Sequence, residues 1–313
     1  NKIAQKQFYA DNEITTSNFV ITHSAEAIHE HLGLLPAVHK LAEGGYDGKG
    51  VQVIEDEKSI ALGFNAPAVL EEKVAIQKEI AVMVARNEAG AVSVFPSVEC
   101  HFDEQLHLVD YLFCPSQLTD AEEEKIQALA QQIIIQLDMV GLLAIEFFIS
   151  THGEILINEL SPRPHNSGHY SIDAASHSQF EQSIRAMGVE VHIVNLGIIR
   201  RQYFNLAGIF NRFLKWRNGV GVLNEIIQSH QIDTIYSNTA AVLIGGFVAR
   251  RNGLKHIWHI HEIIEKPAFL HRFLAWRFRA TADQLIVVSK AVEQHWQHAL
   301  PDNKITQIYN GIE

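Results

Sequence analysis

The stretch NELSPRPHNSGH, Asn158 to His169, decides how the chain is read. It leaves an apolar, strand-like run, Glu154 to Leu160. It then breaks into a loop carrying two prolines, an arginine, an asparagine and two histidines. Pro162 and Pro164 lack amide donors and fix their own φ, so a regular strand or helix is not expected to continue through them. An acidic strand end followed by a stiff loop rich in functional side chains is a natural place for a site. The plainer alternative is a polar loop that closes a sheet. The carboxylates and the glycine loop upstream weigh against it.

The run just before it, Leu142 to Ile149, reads as a buried strand with one charge, Glu146. A lone buried carboxylate is costly unless it is paired or binds a metal. The turn Ser150-Thr151-His152-Gly153 folds the chain back along Glu154 to Leu160. If residues 149 and 154 pair across it, Ile157 faces Glu146 and Glu159 faces Ala144. Alternation then puts Glu146 and Glu159 on one face, diagonally adjacent. Two carboxylates plus Asn158 make a hard oxygen site suited to Mg²⁺, and Mg²⁺ suits the phosphates of ATP. A pair of edge carboxylates is the rival reading, disfavoured because Glu146 sits among Leu, Ile and Phe. Arg163 can hold a phosphate or carboxylate in a bidentate fork. His165 and His169 could ligate zinc at i, i+4 spacing only in a helix, which the prolines oppose.

Further upstream, Gly44-Gly45-Tyr46-Asp47-Gly48-Lys49-Gly50 separates the apolar run Leu34 to Lys40 from the strand Val51 to Ile54. Such a hairpin can turn backbone amides toward an anion, with Lys40 and Lys49 to neutralise phosphate charge. A plain glycine-rich hairpin is an equal alternative. It is not a Walker loop, because no GxxxxGK[ST] leads into a helix. Ala68 to Val74 reads as a strand carrying Glu71, Glu72 and Lys73. Glu79 opens the next strand, Ile80 to Arg86, and could accept from ribose hydroxyls. Solvated carboxylates on strand edges explain these residues equally well. Phe19 to Thr22 and Ala91 to Val98 are further strands.

Three helices are expected in this half, besides a short one at Gln179 to Arg185. Asn1 to Asn12 places Lys2 and Lys6 on one face. No cap precedes it, so a longer chain upstream is expected. Ser24 to Leu32 has Ser24 as its cap. Asp120 to Leu137 has acidic residues in its first turn, and Ile126, Leu129, Ala130 and Ile133 at core spacing.

The net charge is −11, which argues against general nucleic-acid binding. Residues 1–186 hold 11 Lys/Arg against 27 Asp/Glu, and residues 187–313 hold 14 against 9. All four tryptophans lie in the second part. The shift predicts two modules, divided near Ala186 to Val189. Two cysteines make no disulfide framework, so a reducing, cytoplasmic setting is expected. The start has no apolar signal core, and no apolar run is long enough to span a bilayer.

In the second module, strands are expected at Val189 to Asn195, Ile232 to Asn238, His256 to His261 and Gln284 to Ser289. Helices are expected at Phe210 to His230, Ala240 to Asn252 and Arg272 to Ala282. Alternation at this spacing predicts a doubly wound parallel sheet. Functional residues would then sit at strand C-termini: Ser237, Asn238, His259, His261, Glu262, Ser289 and Lys290.

Residues 1–186 resemble a known family. GGYDGKG, EEKVAIQKEIAVMVAR, AIEFF and above all NELSPRPHNSGHYSIDAASHSQFEQSIRA are similar to the ATP-grasp region of 5-(carboxyamino)imidazole ribonucleotide synthases. That family uses ATP and bicarbonate to form carboxyphosphate, then carboxylates the amine of 5-aminoimidazole ribonucleotide in purine synthesis. The resemblance implies an α+β ATP-grasp fold with mixed and antiparallel sheets, a small lid-bearing part at about 1–75 and a larger part at about 76–186. It implies that Lys40 and Gly45, Tyr46, Asp47, Gly48, Lys49, Gly50 and Val51 lie at the phosphates. Glu71, Glu72, Lys73 and Val74 would hold adenine, Glu79 the ribose, and Glu146, Glu159 and Asn158 Mg²⁺. Tyr46, Lys49, Arg163, His165 and Asn166 would lie near the carboxyphosphate and the ribonucleotide, with Lys49, Arg163, His165 and Asn166 catalytic. Lys2 stands where the family can carry a nucleotide-binding arginine, and Phe102 where some members have a histidine. Counterparts of the family's N-terminal Rossmann-like domain and its C-terminal domain are not in the sequence, so about half of the acceptor site is expected.

Residues 188–313 resemble the N-terminal half of family-four, two-domain glycosyltransferases, through DTIYSNT, HIWHIHE, ADQLIVVSKAV and KITQIYNGIE. The resemblance implies an acceptor-side domain in which His261 and Glu262 face the cleft. Taken together, the chain reads as a fusion of two truncated α/β enzymes. It is expected to be an ATP-dependent carboxylate–amine ligase with small-molecule substrates and room for a homodimer. A glycosyltransferase acceptor domain and an inactive nucleotide-binding fusion are the alternatives.

Overall fold

In a computed structural model, residues 1–44, 50–102, 109–198, 205–301 and 304–309 are described. The chain divides into two compact units, Asn1–Val191 and His192–Ile312. The expectations placed on Gly45, Tyr46, Asp47, Gly48 and Lys49 lie outside the described residues.

The first unit opens with helix α1 (Lys2–Asp11), whose N-cap is Asn1. The Asn1 side chain caps the helix by accepting from the Ile3 and Ala4 amides. Four antiparallel strands follow in the order β1-β4-β2-β3: β1 (Phe19–Thr22), β2 (Ala37–Leu41), β3 (Val51–Ile54) and β4 (Ala68–Glu72). The segment expected as an α-helix from Ser24 is a 3-10 helix, Glu26–Leu34, and the Ser24 hydroxyl accepts from Ala27 N–H. His39 on β2 is fully buried. Its Nδ1 accepts from Phe64 N–H, which leaves Nε2–H to donate to Thr22 Oγ1 at 2.8 Å.

A six-stranded antiparallel sheet forms the larger half, in the order β10-β9-β5-β7-β8, with β6 also on β5. Its strands are β5 (Ile76–Arg86), β6 (Val92–Val94), β7 (Val98–Phe102), β8 (Val109–Phe113), β9 (Gly141–Ser150) and β10 (Ile155–Ser161). The strand expected over Ala91 to Val98 is split, because Pro96 interrupts the run that β6 and β7 would otherwise share along β5. Helix α2 (Asp120–Gln136) covers one face. Thr119 caps it, with Glu122 returning the bond in a capping box. Ile126, Ala130 and Ile133 are buried against Ile80, Val82, Val84, Leu143, Ile145 and Phe147, with Leu129 packed at the edge. The opposite face of β5 and β9 buries Ala81, Met83, Ala85, Leu142 and Ala144 beneath Ala186 of helix α4 (Gln179–Ala186), which follows a single turn, α3 (Ser171–Ala174). Period-two alternation thus packs both faces of these central strands.

The β9–β10 register differs from the sequence expectation, which paired residues 149 and 154. The loop is three residues long, with Gly153 at φ +80°, and Ile155 pairs with Ile149. That one-residue slip alone would set Glu159 opposite Ile145, on the wrong face for Glu146. A bulge at Asn158 adds one residue to β10, shifts the register by one more position and so returns Glu159 to the face of Glu146. Glu159 and Glu146 are therefore direct cross-strand partners rather than diagonal neighbours.

The second unit is a parallel sheet in the order β11-β12-β13-β14: β11 (Thr234–Asn238), β12 (Lys255–Ile260), β13 (Gln284–Val287) and β14 (Ile305–Gln307). Its helices are α5 (Leu206–His230), α6 (Ile244–Asn252), α7 (Ala268–Thr281) and α8 (Lys290–Trp296). Gly253 ends α6 at φ +68°. The α6 helix begins four residues later than expected. Val189 to Asn195 forms no strand: Val189 and Ile193 are 52% and 77% exposed, so their alternation has no buried face to fix it. Gly245 and Gly246 let α6 lie against fully buried His256. A Cβ on Gly245 would meet Ser237 Oγ at 2.1 Å, and one on Gly246 would meet Thr281 Oγ1 at 2.6 Å. No described helix is long and apolar enough to cross a membrane.

Candidate functional site

The site of the first unit is built where β9, β10, β2, β4 and α1 converge. Glu146 and Glu159 face each other across β9 and β10, with side chains 30% and 41% exposed. Burial, then repulsion from Glu159, raises the Glu146 carboxyl to about 7, although Lys2, Lys40 and the Asn158 side chain act in the opposite direction. Glu79, on neighbouring β5, is raised to about 7 as well, by burial and then by Glu146. Partly desolvated carboxylates crowded at one sheet end form an oxygen-donor set with surplus negative charge. That chemistry fits a hard divalent cation, and Glu146, Glu159 and Asn158 would hold it.

Lysines ring the pair. Lys2 Nζ lies 2.8 Å from Glu159 Oε2. Lys40 Nζ donates to Asn158 Oδ1 at 3.0 Å and to Glu71 Oε2 at 3.2 Å. Glu71 is buried and also bonds Lys6 Nζ at 3.0 Å and Ser17 Oγ at 2.8 Å. Burial alone would raise the Glu71 carboxyl, but Lys40, Lys6 and Ser17 hold it below the usual carboxylate range. Burial pulls the Lys6 ammonium down, with Glu71 opposing. The Glu71 side chain is thus committed to a lysine–glutamate–lysine cluster that fixes Lys40.

The remaining expected nucleotide contacts are spread along the strand edges. Glu72 is exposed and accepts from Asn18 Nδ2 at 2.7 Å, and Lys73 pairs with Glu55 at 2.6 Å. Val74 follows half-buried beyond the end of β4. Val51 pairs with Lys40 across β2 and β3, and the Gly50 carbonyl accepts from Leu41 N–H.

Beyond β10, the loop turns through a single 3-10 turn, Asn166–Gly168, so His165 and His169 do not share an α-helical face. His165 Nδ1 lies 2.8 Å from Ser167 Oγ and 3.7 Å from Glu146 Oε1. Burial, then Arg163, lowers its pKa, favouring the neutral ring. Arg163 and Asn166 are exposed, with Arg163 bonding the Pro164 carbonyl at 3.0 Å. Three contributors were not singled out from sequence. Lys6 was read only as a companion of Lys2 on one helix face. Gln5 bonds both N–H and C=O of Leu160 at 2.9 Å, and Gln179 does likewise for His165.

At the C-terminal edge of the second sheet, His261 Nε2 lies 2.6 Å from Asn238 Oδ1 and His259 Nδ1 lies 2.6 Å from Tyr236 OH. The Glu262 carboxylate accepts from Thr239 Oγ1 and from Ala240 N–H. Ser289 caps α8, just before Lys290. Ser237 points inward to His256 and is 3% exposed, so it does not join the edge.

The ATP-grasp domain family matches residues 7–180, and Glycosyltransferase Family 4 matches residues 174–313. The N5-carboxyaminoimidazole ribonucleotide synthase of Synechococcus elongatus is 36% identical over 193 residues, covering 60% of this chain and 48% of that protein. The Bacillus subtilis synthase is 42% identical over 160 residues, covering 49% and 41%. The chain thus spans about half the length of the curated relatives it matches. Among solved structures, an N5-carboxyaminoimidazole ribonucleotide synthetase in complex with ADP aligns at a TM-score of 0.56 and 36% identity, covering 60% of this chain and 51% of that one. The Thermotoga maritima synthetase aligns at 0.52 and 38%, covering 59% and 48%. With an antiparallel sheet that opposes two glutamates beside a lysine-bearing sheet, and with this match across more than half its length, the chain belongs to the ATP-grasp family.

Proposed function

We propose that residues 1–186 form an ATP- and Mg²⁺-dependent carboxylate–amine ligase module that carboxylates 5-aminoimidazole ribonucleotide with bicarbonate. The observation that carries this reading is the direct opposition of Glu146 and Glu159, with Lys2 and Lys40 tethered to the same strand end. The N5-carboxyaminoimidazole ribonucleotide synthetases that the chain resembles, one of them in complex with ADP, support it.

In this reading Lys2 and Lys40 offset phosphate charge, and the Glu71–Lys6 cluster keeps Lys40 extended toward Asn158. Glu79 accepts from the ribose. The strand end at Glu71 to Val74 borders the purine, with the Glu71 carboxylate serving Lys40. Glu146, Glu159 and Asn158 hold the metal, which when bound neutralises phosphate oxygens and polarises the reacting phosphoryl group. Arg163 offers its fork to an anionic group. Neutral His165, with Asn166, borders the acceptor and can take or give a proton at its imidazole.

For residues 187–313 we propose a separate module with an acceptor-type edge at His261, Glu262, His259 and Asn238. The family-four glycosyltransferase match supports it.

The test is release of ADP from ATP by the full chain with bicarbonate, with and without the ribonucleotide. Release that needs bicarbonate and rises with the ribonucleotide is the expected result. If MgATP binds but no condition releases ADP, the ligase reading fails.

A further inference from the structure

We propose that Gln179 is a positioning residue that holds His165 against the carboxylate pair, and that Gly168 is there to let it do so. The proposal rests on the ligase reading for its kinetic consequence, and on geometry alone for the clamp itself.

Gln179 is the first residue of α4 and is fully buried. Its Oε1 accepts from His165 N–H at 2.9 Å, and its Nε2 donates to the His165 carbonyl at 2.8 Å. A carboxamide carries the donor and the acceptor needed to mimic the edge of a neighbouring strand. No strand lies there, because Pro162 and Pro164 break the ladder on the way into the loop. The clamp is itself anchored. Gln179 N–H donates to Ser171 Oγ at 2.8 Å, and Ser171 Oγ–H donates to the Gly168 carbonyl at 2.6 Å. A Cβ on Gly168 would lie 2.4 Å from Gln179 Oε1 and 2.6 Å from its Cδ, so only glycine admits the amide. At the far end α4 is seated by Ala186, buried on the β5–β9 face. A rigid path therefore runs from the core of the sheet through α4 and Gln179 to the His165 backbone. From there the imidazole presents Nδ1 to both Ser167 Oγ, at 2.8 Å, and Glu146 Oε1, at 3.7 Å.

The experiment uses the full chain and the variants Gln179→Ala, Gln179→Glu, Gly168→Ala and the double variant Gly168→Ala/Gln179→Ala. A misplacement of about 1 Å costs about a hundredfold in rate, so Gln179→Ala should lower kcat/KM for the ribonucleotide by about that factor. KM for MgATP should stay within about twofold, since the phosphate-side residues are held by other elements. Gln179→Glu keeps the acceptor arm alone and should fall between the two. Gly168→Ala should match Gln179→Ala, and the double variant should lose no more than either, because all three break one contact. Equal losses toward both substrates in step with Tm, unchanged kinetics, or additive losses in the double variant would overturn the proposal. Hydrogen exchange at the His165 amide gives a reading free of turnover. Protection in the wild type that vanishes in Gln179→Ala supports the clamp, and an unprotected wild-type amide sinks it. If the wild type releases no ADP under any condition, it is the ligase reading that fails, and the exchange result alone decides the clamp.

Discussion

Glu159 does one thing that no other residue of the site does: it meets Glu146 head-on while holding Lys2. Replacing it with glutamine removes the charge and keeps the shape. Outer-shell partners of a metal are already worth about ten- to a hundredfold in affinity. Glu159→Gln should therefore weaken Mg²⁺-dependent ATP binding at least that much in calorimetric titration, and unchanged affinity would count against the assignment. Lys6 acts elsewhere, as one of two cations on buried Glu71. Lys6→Met leaves Glu71 with Lys40 and Ser17 but removes one charged hydrogen bond, a change that costs about 1.5–3 kcal/mol, read as a lower urea midpoint. Gly245→Ala drives a methyl into Ser237 Oγ and should destabilise the second unit by about 1–3 kcal/mol. Among single residues, the sequence made charge legible and contact obscure. Glu146 stood out because a carboxylate among Leu, Ile and Phe needs an explanation. Gln179 and Lys6 did not, since an amide or a lysine looks the same whether it grips a backbone or faces water.

Elements with a strong period were the readable ones. The spacing of Ile126, Ala130 and Ile133 marks the buried face of α2, and that face packs as expected. The hydroxyl that starts the helix is less legible, since the acidic first turn points to Asp120 as the start while the cap is Thr119. Thr119→Ala should cost about 1 kcal/mol, seen as a lower Tm, because the Glu122 N–H loses the Thr119 Oγ1 that accepts from it. The β9–β10 hairpin shows the opposite limit. Its two strands were legible, but the pairing depends on whether three or four residues turn the corner and on a bulge that no residue type announces. Val189 to Asn195 alternates like a strand and is none. Alternation makes a strand only where a partner edge and a core await it.

Across the whole molecule, each unit buries one histidine completely among the described residues, His39 in the first and His256 in the second. Burial lowers the pKa of both. For His256 the Thr281 carbonyl and Asp283 act against that shift, and Arg277 acts with it. The unfolded chain takes up a proton near the ordinary value of about 6.5, so stability is complete above that pH and falls as acid lowers the pH toward the folded pKa values. In the first unit Glu79 and Glu146, raised to about 7, take up protons in the folded state over the same range and oppose this trend. The effect is therefore read on the second unit, whose thermal transition should shift downward between about pH 7.5 and about pH 5.5. Substituting His256 with asparagine should flatten that slope. A slope identical to that of the wild type would show that another group governs the acid limb.

The extra residue in β10 has a consequence for how this hairpin can change. A β-ribbon keeps count modulo two: each added or lost position swaps its inner and outer sides. The tight corner at Gly153 contributes one unit of offset and Asn158 contributes the compensating one, so the acidic pair exists only while both are kept. Side chains along the ribbon are free to drift, but its length is not. Removing a single position from either place would send the second glutamate through to the far side of the sheet, among the packed aliphatic residues, and leave the first without its counterpart.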